Sequence, residues 1–115
     1  MINKITNNEK LNLLLPGLEK RIRDSFGDKV KQIILYGSYA RGDYDNESDV
    51  DIMVVVDDED LFRYRELRNK IVSDFLGESD YLFSITIDNL KIFSEYREII
   101  PYYENVINEG IIIYG

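Results

Sequence analysis

The chain has 115 residues, room for one domain with an apolar core. Its 44 % hydrophobic and 31 % charged residues are the balance of a soluble globular protein, and no run of about 18 apolar residues offers a membrane span. With no Cys and no His, it is denied disulfides, thiolate or imidazole metal sites, cysteine nucleophiles and imidazole bases. Any chemistry must rest on carboxylates, hydroxyls, Lys, Arg or a hard cation of the kind carboxylates hold. A net charge of −8 disfavours direct nucleic-acid binding. The opening segment, Met1 to Asn8, has neither the apolar run nor the cleavage site of a secretory signal, which points to a cytoplasmic protein.

In chain order, Leu11, Leu14, Leu15, Leu18 and Ile22 recur at helical spacing, and Pro16-Gly17 divides the pattern into two short helices. Gly27-Asp28 makes a turn, and Val30 to Tyr36 is a β-branched, apolar run of strand length ending at Gly37-Ser38, where a short helix starts. A polar loop, Asp43 to Ser48, feeds Val50 to Val56, which reads as a buried central strand. Asp57 or Asp58 is placed to cap a helix carrying Leu61, Tyr64, Leu67, Ile71, Val72 and Phe75 as far as Gly77. Tyr81 to Ile87 alternates as a half-buried strand. Asp88 is placed to cap a helix through Leu90, Phe93, Tyr96 and Ile100; Pro101 restarts it, and Gly110 precedes a last apolar run, Ile111 to Tyr114. The predicted order is α-β-α-β-α-β-α in a single domain, 1–115: an α/β (α+β) fold with one mixed β-sheet and flanking helices.

Three Asp-x-Asp pairs occur: Asp43 with Asp45, Asp49 with Asp51, and Asp58 with Asp60. Only Asp49-Val50-Asp51 opens an apolar strand, where the two-residue period sets both carboxylates on one face of a fixed scaffold. Two carboxylates so placed are able to hold divalent cations. In a two-metal site the ions lie roughly 3.5–4 Å apart, one activating the attacking oxygen and the other neutralising the leaving phosphate oxygens. Gly37 leaves room for a phosphate to approach the backbone, and Ser38 adds a hydroxyl at a helix start. Arg41 either binds leaving pyrophosphate through its planar guanidinium or pairs with Asp43 or Asp45 at the surface. Between Asp43 and Asp60 there are nine acids and no Lys or Arg, a charge that divalent cations would offset beside a triphosphate. Tyr39 and Tyr44 flank the same stretch and are the hydroxyls nearest to hand for self-modification.

Tyr36-Gly37-Ser38-Tyr39-Ala40-Arg41-Gly42, followed by Ser48-Asp49-Val50-Asp51, resembles the minimal nucleotidyltransferases of the DNA polymerase beta superfamily. The resemblance implies a polymerase-beta palm-like nucleotidyltransferase fold, with Asp49 and Asp51 as catalytic Mg²⁺ ligands. It implies that Gly37 and Ser38, next to which Arg41 lies, hold a nucleoside triphosphate such as ATP. Members of this size serve as antitoxins that transfer AMP to a tyrosine of a HEPN-type toxin, so the resemblance implies such a partner and such a role. A small-molecule acceptor would instead need walls from a second subunit, as in a homo-oligomer. The family places a third carboxylate on the neighbouring strand, where this sequence offers Ser84, with Asp80 and Asp88 only at the strand ends. That departure motivates the alternative of a nucleotide-binding or partner-binding module that regulates its partner by contact, with weak or lost catalysis.

Overall fold

The run Val50–Val56 forms strand β2, buried on both faces from Ile52 onward, because neighbours cover it on every side. Val30–Tyr36 is β1, antiparallel to β2; Phe83–Asn89 is β3, parallel to β2; Ile111–Tyr114 is β4, antiparallel to β1. The sheet order is β3-β2-β1-β4, so β1 and β2 are the inner strands. The computed structural model describes residues 6–115. Met1 to Ile5, part of the segment read for a secretory signal, lie outside the described residues. Among the described residues no helix is long and apolar enough to cross a membrane.

The helices are α1 (Glu9–Phe26), α2 (Ser38–Arg41), α3 (Arg65–Ser79), α4 (Leu90–Tyr96) and α5 (Pro101–Glu109). They cover the sheet unequally. On one face Leu11, Leu15, Leu18 and Ile22 of α1 join Leu35, Ile52 and Val54 of the sheet and Ile71 and Phe75 of α3 in the larger core. On the other, Ile34, Met53 and Val55 meet Phe93 of α4 and Tyr103 and Val106 of α5 in a smaller one.

Several sequence expectations need correction. The two short helices divided at Pro16 are one helix, α1, with Pro16 inside it. Proline has no N–H to donate and crowds the preceding turn, but burial of the apolar stripe on both sides of it outweighs that local penalty. Replacing Pro16 by Ala is expected to stabilise the protein by roughly 2 kcal/mol, the helix-interior penalty of proline less its restraint on the unfolded chain. Chemical denaturation measures this, and a loss of stability would show that the ring itself fills a needed space.

Neither Asp57 nor Asp58 caps α3. Asp58 Oδ1 accepts from the Asp60 amide at 2.9 Å and Oδ2 accepts from the Tyr64 hydroxyl at 2.7 Å, organising a 3-10 turn at Leu61–Tyr64 that precedes the helix. Helix α3 also runs through Gly77, ending at Asp80, whose φ of 64° supplies the left-handed terminus. Asp88 belongs to β3, and Asn89 caps α4 by accepting from the Ile92 amide at 3.0 Å. Ile100 falls outside α4, and the last apolar run is a fourth strand that the predicted element order omitted.

Candidate active site

Strand β1 ends at Tyr36, and Gly37 turns the chain directly into the four-residue helix α2. The turn uses φ 75° and ψ −156°, a region closed to residues with a Cβ. Its open side is occupied by the Asp51 carboxylate, which a Cβ on Gly37 would strike. The sequence thus uses one glycine for two purposes: the sharp entry to α2 and the close seat of an acid.

Asp51 is the second residue of β2 and is half-buried; Asp49, just before the strand, is exposed. Across the ladders Asp51 pairs with Tyr36 on β1 and with Ser84 on β3. Burial raises the Asp51 carboxyl above the usual range, and the nearby Asp49 charge adds to the shift, while Arg41 opposes it. Two carboxylates separated by one residue, one of them made unwilling to ionise by burial first and by its neighbour second, form a donor set that suits a hard divalent cation. Among the described residues no group of three or more acidic side chains is arranged to hold a metal ion, so this pair would need ligands from a bound substrate or from solvent.

The other two Asp-x-Asp pairs have structural work. Asp45 accepts from the Glu47 amide at 2.8 Å and from the Ser48 hydroxyl at 3.3 Å, shaping the loop before β2, and Asp43 pairs with Arg41 at 3.1 Å. Asp58 holds the 3-10 turn and pairs with Arg63. Of the two readings of Arg41, surface pairing is what the fold displays: besides Asp43, its Nη1 reaches Glu109 Oε2 at 2.9 Å, tying α2 to the end of α5.

Tyr39 is only 5 % exposed, its ring stacked on Tyr44 with centroids 4.3 Å apart, and burial raises its hydroxyl pKa. The two rings, with Tyr81, wall a cavity of about 360 Å³ that reaches Asp49 and Asp45. A larger groove of about 710 Å³ lies at the other end of β1, beside Val30 and Tyr114, and shares no residue with this site.

One arrangement escaped sequence reasoning. The Tyr102 hydroxyl at the start of α5 lies 3.0 Å from the Tyr36 hydroxyl and 3.0 Å from Thr86 Oγ1, closing a row of hydroxyls on the face that carries Asp51 and Ser84. Tyr102 is 66 residues from Tyr36, and Glu109 is 68 from Arg41. No local pattern could join residues so far apart; only the packing of α5 does.

Residues 15–114 match the family described as nucleotidyltransferase domain. The chain belongs to that family. The nucleotidyltransferase is similar to a candidate protein adenylyltransferase of Methanocaldococcus jannaschii, 38 % identical over 71 residues that cover 62 % of this chain and 72 % of that one. A second from the same organism is 34 % identical over 98 residues, covering 81 % and 87 %. Among solved structures, a chain of a toxin–antitoxin complex with AMP-PNP superposes with a TM-score of 0.59 at 22 % identity, over 88 % of this chain and 73 % of that one. A chain of a complex between a tri-AMPylated Shewanella oneidensis HEPN toxin and its MNT antitoxin gives 0.56 at 24 % identity, over 90 % and 71 %. At these identities the structural likeness speaks for the nucleotidyltransferase fold, which the mixed sheet and flanking helices carry.

Proposed function

We propose that this nucleotidyltransferase transfers AMP from ATP to a hydroxyl on a protein, a tyrosine of a HEPN-type partner, and thereby acts as an antitoxin. The observation that carries the reading is the seating of the Asp51 carboxylate against Gly37, with Asp49 beside it, at the entrance of the most buried strand. Family membership and the two candidate protein adenylyltransferase relatives support the reaction. The fold shared with chains from toxin–antitoxin complexes supports the partner.

In this reading Asp49 and Asp51 hold Mg²⁺, which would supply charge neutralisation at the phosphates. The backbone at Gly37 and the Ser38 hydroxyl take the phosphate oxygens where α2 begins, and the strand fixes both acids so that little reorganisation is needed during the reaction. Incubating the chain with its cognate partner, ATP and Mg²⁺ should add the mass of AMP to the partner, read by intact-protein mass spectrometry. A stable complex whose partner gains no mass under any divalent cation would refute it.

Arg41 is proposed to exchange its carboxylate partners for phosphate oxygens when the nucleotide binds. Arg41→Ala should leave the melting temperature unchanged, since its pairs are exposed, and raise the KM for ATP about tenfold. An unaltered KM would leave Arg41 as the surface latch to Glu109 and nothing more.

The second reading, a module that neutralises its partner by contact, draws on Ser84 standing beside Asp51 where another carboxylate would strengthen the site. Contact inhibition survives loss of both aspartates; catalytic neutralisation does not.

A further inference from the structure

We infer that the acceptor-bearing chain completes this site by bringing its own proton acceptor, a carboxylate or an imidazole, to the side of Asp51 where this chain carries only Ser84. The inference rests on the transferase reading. In that reaction the acceptor oxygen bonds to the α-phosphorus while the bond from that phosphorus to the oxygen bridging toward the β-phosphorus breaks. Pyrophosphate leaves with the electron pair, and the hydroxyl proton must pass to a base.

The described residues offer no such base on this face. In the transferase reading Asp49 and Asp51 hold the cation and would not be free to take the proton. The neighbours of Asp51 across the two ladders are Tyr36 and Ser84, on strands that lie about 4.8 Å away on either side. Further along β3 the same face carries Thr86, whose hydroxyl is joined to Tyr102, as that of Tyr36 is. These are neutral hydroxyls, and a neutral hydroxyl is a poor proton acceptor at physiological pH.

The remaining acids are engaged or lie elsewhere. Asp88 is four positions beyond Ser84, roughly 13 Å along the strand, and accepts from the Tyr103 hydroxyl at 3.0 Å. Glu109 and Asp43 are paired with Arg41. Asp80 shares a cavity with Asp49, but neither Asp51 nor Ser84 lines it, and its walls are the Tyr39, Tyr44 and Tyr81 rings. The whole sequence contains no histidine. Ser84 itself is half-buried and short, and its hydroxyl, like the others on this face, supplies no base beside Asp51.

The test is AMP transfer from ATP with Mg²⁺ to N-acetyltyrosinamide, a phenol that brings no base, measured between about pH 7 and 9, below the phenol's own pKa of about 10. The cognate partner is the parallel acceptor. Wild-type transfer to the small phenol should be slow at neutral pH, rise about tenfold per pH unit, and accelerate with added imidazole. Ser84→Asp should transfer to it about 10²-fold faster than wild type near pH 7, with a flatter profile. A wild-type rate that is flat across this range and indifferent to imidazole overturns the inference, whatever Ser84→Asp does. Labelling of the partner at neutral pH without labelling of the base-free phenol supports it. If neither acceptor is labelled at any pH, the transferase reading itself falls and this inference falls with it.

Discussion

Replacing Asp49 and Asp51 together by Asn is expected to abolish AMP transfer, by about 10³-fold or more, while making the protein more stable than wild type in the absence of divalent cations. The rate follows from losing several kcal/mol of charge neutralisation at the phosphates, each 1.4 kcal/mol being about tenfold. The stability follows from the carboxyl of Asp51, raised above the usual range by burial first and by Asp49 second. A raised carboxyl pKa means that the folded state holds this proton more tightly than the unfolded chain does. The stability it contributes is therefore present below the ordinary carboxylate range and is lost as pH rises through the raised pKa. At neutral pH the charged pair is a liability that asparagines remove. Thermal unfolding near pH 7 should show a higher melting temperature for the variant without cations. Wild type alone should rise on adding Mg²⁺, by about 2.7 kcal/mol at a hundredfold excess over Kd. A variant less stable than wild type under cation-free conditions would mean that the carboxylates hold the turn together.

Gly37→Ala should be the most damaging single substitution at the site. Its φ of 75° and ψ of −156° lie in a region that costs a residue with a Cβ about 1–3 kcal/mol. The added methyl would also run into the Asp51 carboxylate, with Cγ only 3.1 Å away. We expect a fall in melting temperature of about 10 °C together with loss of transfer. Adding Asp51→Gly should recover part of the stability by removing the collision, and none of the activity. Fully additive effects in the double variant would show that the methyl finds another way out.

The strands that carry the site were legible because their sequences are self-sufficient. Val30–Tyr36 and Val50–Val56 are apolar runs bounded by polar or glycine-containing turns, and both were read with the boundaries the fold adopts. The same holds for the restart at Pro101, where proline occupies the first helical position that suits it. The errors arose where two local signals competed and the arbiter was distant. At Pro16 the breaker lost to a buried stripe; at Asp88 and Asn89 two capping residues stood side by side, and Tyr103 claimed the first. The choice of Asp49 and Asp51 over the other acid pairs rested on the strand that follows them, and the fold gives the other pairs turns and ion pairs to maintain. The Arg41–Glu109 and Tyr36–Tyr102 links were beyond reach because both need α5 folded back onto the sheet.

The unequal covering of the sheet divides the molecule into a stiff half and a yielding half. Gly37 and Asp51 are attached to β1 and β2, the two inner strands, whose apolar residues anchor the larger core with α1 and α3. The layer over the other face buries only Phe93, Tyr103 and Val106 in a smaller core, and its remaining ties are side-chain hydrogen bonds such as those of Tyr102 and Glu109. Amide hydrogens of β1 and β2 should consequently exchange through global unfolding, and those of α4 and α5 through a lower-energy local opening. Such an opening would uncover the face that carries Asp51, as the proposed transfer to a protein hydroxyl requires, while the floor that holds the aspartates stays where folding put it.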